Sequence, residues 1–203
     1  MTVRIPPAVP PYDSAVAEDF AALMPAGVEP IGLFRTMAKN PRVLHKLRVG
    51  NLLDRGSISL RQRELVILRT SALCDAEYEW GVHAAFFAPK AGFDAEQLYA
   101  TRWLGADAPC WQPDEALLVR LCDELHASSR ISESLWPALR AAFREDQLVE
   151  LFTLAGFYHT IAYLIHGCGV ALEPAAPRFP TPRAADTQGR SHADSSSQAR
   201  AEP

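Results

Sequence analysis

The stretch "QLVELFTLAGFYHTIAYLIH", residues 147–166, constrains this 203-residue chain more than any other. It is apolar nearly all round, contains no proline, and is bracketed by Asp146 before it and by Gly167 and Gly169 after it. A carboxylate at the start and glycine at the end are helix start and stop signals, so the spacing predicts one long helix buried on most sides. Other helices must then supply the faces that cover it. Pro30 can open "IGLFRTMAK", and Pro41 can open "RVLHKLRVGNLL", which should stop near Gly56. Ser59 with Gln62, and Asp94 with Gln97, are capping-box signals. Leu117, Leu118, Leu121 and Leu125 follow Pro113 at helical spacing, and Ser132 can cap "ESLWPALRAAF". No segment sustains the period-two alternation of a strand. The expectation is an all-α bundle of about seven to eight helices forming one domain over 13–172. A proline-rich arm (1–12) precedes it, and a polar, proline-punctuated tail (173–203), poor in apolar area, is expected to be disordered.

Composition narrows the partners. A chain 48% hydrophobic and 22% charged has the balance of a soluble globular domain. A formal charge of −4 and a pI near 5.9 give no electrostatic footprint for nucleic acid or an anionic membrane. The one basic cluster, Arg42, His45, Lys46 and Arg48, reads as a solvated helix face. The N-terminal "MTVRIPPAVPPYD" lacks the apolar core of a signal peptide, which makes the cytoplasm the expected location. Cys74, Cys110, Cys122 and Cys168 are scattered without a Cys-x-x-Cys pair, so reduced thiols are expected.

The chemistry concentrates in "CDAEYEWGVHAAF", residues 74–86. With Asp75 as N-cap of a new helix, Glu79 and His83 lie four apart on one face. There a carboxylate can hold one imidazole nitrogen and raise the basicity of the ring. The same spacing also occurs as ordinary surface helix support. Tyr78 and Trp80 suit a pocket wall or a core, and Cys74 suits a buried small hydrophobe. Glu79, His83 and His159 lack metal-binding spacing, so no metal is expected. Phosphate-loop, dinucleotide and Gly-x-Ser-x-Gly signatures are missing as well, so no cofactor is expected.

"SLRQRELVILRTSALCDAEYEWGVHAAFFAPKAGF", "DEALLVRLCDELHASSRIS" and "LAGFYHTIAYLIHGCGVALEP" together resemble the carboxymuconolactone decarboxylase superfamily, which includes the alkylhydroperoxidase D-like proteins. The resemblance spans most of residues 30–174. It implies an all-helical, homo-oligomeric protein acting on a small-molecule substrate. The peroxidase branch carries a glutamate, a Cys-x-x-Cys pair and a histidine. By spacing these fall on Glu64, on Ala76 and Glu79, and on His83, so both thiols are missing. The resemblance therefore implies the branch without the dithiol. That branch is a cofactor-independent lyase or decarboxylase acting on a small carboxylic acid, cyclic and lactone forms included. His83 would move the proton, Glu79 would orient and charge it, and Glu64 would serve as a second acid or base. Tyr78, Trp80, Tyr158 and His159 would be walls and donors of the pocket, and Glu64, Glu79 and His83 would converge in a partly apolar space between Leu68, Trp80 and Phe87. The alternatives are an antioxidant protein with peroxiredoxin-type activity through Cys74 and a non-catalytic ligand-binding oligomer.

Overall fold

The computed structural model describes residues 2–184. Ten helices and no strand occur among the described residues: α1 (Ser14–Leu23), α2 (Gly32–Met37), α3 (Pro41–Val49), α4 (Leu60–Leu73), α5 (Glu77–Phe86), α6 (Ala88–Ala91), α7 (Ala95–Trp103), α8 (Pro113–Ser128), α9 (Trp136–Ala142) and α10 (Glu145–Cys168). The class is as expected, and the count exceeds seven to eight because short one- and two-turn pieces such as α6 and α9 carry too few residues to show a period.

α4 is the axis of the fold, packed by α5, α7, α8 and α10. Every residue from Glu64 to Ala72 is buried, including Glu64, Arg69, Thr70 and Ser71. Its start is fixed locally: the Ser59 side chain accepts from the Gln62 N–H while Gln62 reaches back to the Ser59 N–H. The Asp94 and Gln97 box starts α7 in the same way. The buried Arg69 donates to the Asp123 carboxylate and to the Thr101 and Leu104 carbonyls, which compensates its burial. α10 is long and apolar enough to cross a bilayer by length and composition, with mean hydropathy 1.5 over its best window. Here it is a core helix: Leu148, Leu151, Leu154, Ala155 and Tyr158 enter the main cluster, and Ile161, Ala162 and Ile165 a second one under α1–α3.

Several boundaries depart from the sequence reading. α3 stops at Val49, well before Gly56, because Gly50 ends it and Leu52 takes a left-handed conformation. α10 begins one residue before Asp146, with Arg144 as N-cap. Asp75 does not cap α5; Ala76 does, while Asp75 sits at φ +56 in the turn and pairs with Arg102. His45 and Arg48 are not free surface cations, since both bind Asp19, which is only 5% exposed.

The largest correction concerns the C-terminal segment, whose described part, 173–184, is docked on the domain. Glu173 accepts from Gly32 N–H (2.6 Å) and from the Tyr78 hydroxyl (2.7 Å). Phe179 lies against Trp80, with ring centroids 5.4 Å apart, while its N–H donates to Glu77. Trp103 donates to the Pro180 carbonyl, and Arg183 pairs with Glu96. Gly81 makes room for this approach: a Cβ there would collide with the Pro177 carbonyl oxygen. Composition alone misread the segment because a few anchors, not average hydropathy, hold it. Residues 185–203 of the expected tail lie outside the described residues. The N-terminal arm is pinned too, by Arg4 and Ile5 N–H groups donating to the Cys168 carbonyl.

Candidate active site

α4 and α5 form a hairpin whose three-residue turn is closed by the Ala76 N–H donating to the Ser71 carbonyl at 2.8 Å. Asp75 supplies the positive φ, a conformation that Asp tolerates better than most residues. This reversal lays the His83 face of α5 against Glu64 of α4. The His83 Nδ1 lies 2.7 Å from Glu64 Oε2, with both groups fully enclosed. The other ring nitrogen, Nε2, lies 3.1 Å from the Tyr158 hydroxyl and 3.4 Å from Glu79 Oε1. Phe87 stacks on the imidazole at 4.9 Å. Behind the pair, Arg63 donates to Glu64 Oε1 at 3.0 Å and to the Leu53 carbonyl.

Burial works against a charged imidazole here, but the hydrogen bonds and negative charges of Glu64 and Glu79 outweigh it and raise the His83 pKa to about 9. At neutral pH the ring is therefore an imidazolium, donating from both nitrogens. Two carboxylates, one imidazolium and the Arg63 guanidinium balance to zero. Burial also raises Tyr158, so its phenol stays protonated. One atom is left over: Glu79 Oε2 is buried and has no hydrogen-bond partner. A buried carboxylate oxygen without a partner is costly, and its place beside a held proton suits an atom that meets a substrate or a transferring proton.

The other expected site residues are placed elsewhere. Tyr78 points away into the second core cluster, where its hydroxyl accepts from Leu33 N–H and donates to Glu173. Trp80 donates to Thr101 Oγ1 and packs against Phe179. His159 and Cys74 lie together on the outer side of α10 and α4 with His126. These corrections share a cause, since neighbours in sequence on one helix, such as Tyr158 and His159, project about 100° apart. Arg63 and the unpartnered Glu79 oxygen were not foreseen, because nothing in their spacing marks them. The Cys74 thiol is pushed up to about 11 by burial, so a thiolate is disfavoured at neutral pH. A cleft of about 220 Å³ between the N-terminal arm and α2, lined by Gly32, Arg35 and Glu173, does not reach these groups.

Residues 41–119, which hold Glu64, Glu79 and His83, match the carboxymuconolactone decarboxylase family model. No curated protein matches the chain. Among solved structures, it is similar to an uncharacterized peroxidase-related protein from Silicibacter sp. TM1040, at 14% identity and TM-score 0.73, covering 89% of this chain and 99% of that one. It is also similar to an alkylhydroperoxidase AhpD core, an uncharacterized peroxidase-related protein from Ralstonia eutropha JMP134, at 13% identity and TM-score 0.74, covering 86% and 94%. A protein of unknown function from Agrobacterium tumefaciens matches at 17% identity and TM-score 0.54, covering 58% and 80%. At these identities the likeness is one of fold. Residues 41–119 are thus similar to the carboxymuconolactone decarboxylase family, and the fold of the chain is that of the alkylhydroperoxidase AhpD-like structures.

Proposed function

We propose that this protein is a cofactor-independent lyase of decarboxylase type, using acid and base chemistry on a small carboxylic acid, cyclic or lactone. The observation that carries this reading is the enclosed Glu64–His83–Glu79 relay with one free carboxylate oxygen. Glu64 anchors Nδ1, so the imidazolium is fixed in orientation and charged. Glu79, not the ring itself, presents the unoccupied oxygen, so the proton passes from Nε2 through Glu79 to the substrate. When the substrate C–C bond breaks, its electron pair enters an enolate, carbon dioxide leaves, and the relayed proton ends on carbon. No oxidant or reductant is consumed. A positioned acid of this kind contributes roughly 10²- to 10⁴-fold in rate. The zero net charge of the cluster leaves no spare cation, which favours a monocarboxylate over a dicarboxylate. We further propose a homo-oligomer, for which Phe86, Trp136, Val149 and Tyr163 offer large apolar side chains left exposed on their helices.

The test is carbon dioxide release from a panel of small lactone and β,γ-unsaturated carboxylic acids, with thiol-dependent hydrogen peroxide consumption measured alongside. Release lost in both His83→Gln and Glu79→Gln and retained in Cys74→Ser supports the reading. Peroxide consumption abolished by Cys74→Ser, without release from any acid, would replace it with the antioxidant alternative. Neither activity would leave a ligand-binding oligomer.

A further inference from the structure

A second constellation sits where three helices meet, outside the Glu64–His83–Glu79 relay. Cys74 is the C-cap of α4, His126 lies in the last turn of α8, and His159 lies midway along α10. Cys74 Sγ is 3.8 Å from His126 Nδ1, and that nitrogen is 3.1 Å from His159 Nε2. All three ligand atoms fall within 4.8 Å of one another. A tetrahedral zinc ion, with Zn–S about 2.3 Å and Zn–N about 2.0–2.1 Å, sets its ligands about 3.6 Å apart for sulfur to nitrogen and about 3.3 Å for nitrogen to nitrogen. The two measured edges agree with these to a few tenths of an ångström.

The ligands' surroundings also fit. His159 Nδ1 is 2.9 Å from the Ala155 carbonyl one turn back. That hydrogen bond fixes the proton on Nδ1 and leaves the Nε2 lone pair facing the cluster, as outer hydrogen bonds do for metal-bound histidines. Two imidazole nitrogens and a sulfur, all within 4.8 Å of one another, make a donor set suited to a cation. Thiolate with imidazole selects zinc-class ions over magnesium or calcium.

We propose that Cys74, His126 and His159 bind a zinc-class divalent ion with an open fourth position towards solvent, on the side where His126 is exposed. Binding forms one sulfur and two nitrogen bonds, releases the Cys74 thiol proton to solvent and transfers no electrons. The inference is independent of the proposed lyase activity. It gives Cys74 a role that needs no peroxide chemistry, and it replaces the expectation that the chain has no metal site.

Cobalt(II) and zinc(II) titrations of the full chain after chelator treatment test it. One cobalt per chain should give tetrahedral d–d bands and a thiolate charge-transfer band, both bleached by zinc. Cys74→Ser should lose the charge-transfer band. His126→Gln and His159→Gln should each weaken cobalt binding by at least about 100-fold, the upper end of what an outer-shell change costs. His126 is exposed, so His126→Gln should fold normally and keep the result interpretable. An octahedral spectrum at one equivalent, or a charge-transfer band that survives Cys74→Ser, would overturn the site.

Discussion

Replacing Glu64 with Gln keeps the shape and one acceptor for His83 Nδ1 while deleting a buried charge. The rise of the His83 pKa from 6.5 to about 9 is net of a burial penalty that acts the other way, so the two carboxylates together supply more than about 2.5 pH units. Glu64 is the nearer partner, at 2.7 Å against 3.4 Å for Glu79, and so carries more than half of that. In Glu64→Gln the His83 midpoint should therefore fall by at least about 1.2 pH units, which is about 1.6 kcal/mol of lost interaction. Two readouts follow: the imidazole proton titration by NMR, and urea unfolding near pH 6 and near pH 10. The variant should be less stable than wild type by at least about 1.6 kcal/mol near pH 6, where His83 is charged in the wild type. The gap should close near pH 10, where both rings are neutral. A midpoint that does not move, or a stability loss that is equal at both pH values, would refute the coupled, buried relay.

The wild-type protein makes its own pH test. Because the folded pKa of His83 lies above the unfolded value of 6.5, its contribution is fully present below pH 6.5 and lost as pH rises through about 9, so stability should fall by about 3 kcal/mol across that window. Arg69→Leu should cost about 2–4 kcal/mol in chemical denaturation, because it strands Asp123 and two carbonyls around a residue only 7% exposed. Phe179→Ala should cost about 1–2 kcal/mol and red-shift tryptophan emission as Trp80 loses its cover. Gly81→Ala should expose the segment from 173 onward to protease with the helical core intact; unchanged cleavage would show that the close approach to Pro177 is not required.

The helical class was legible from the residues alone, because the 3.6-residue period and the Ser59–Gln62 and Asp94–Gln97 boxes are local properties that need no partner to be read. The candidate trio was legible for a different reason: the i, i+4 relation fixes Glu79 and His83 on one face, and the nineteen-residue interval to Glu64 matches a family's arrangement. Whether that trio was a surface pair or an enclosed relay was decided by tertiary structure, since burial on α4 depends on the helices that surround it. So was the sorting of aromatics, with Tyr158 meeting His83 while Tyr78 and Trp80 turn elsewhere. The docking of 173–184 and the meeting of Cys74, His126 and His159 join residues 33 to 141 positions apart. No local pattern encodes such contacts, because their energy exists only once the separate helices have packed and brought the groups within hydrogen-bond reach.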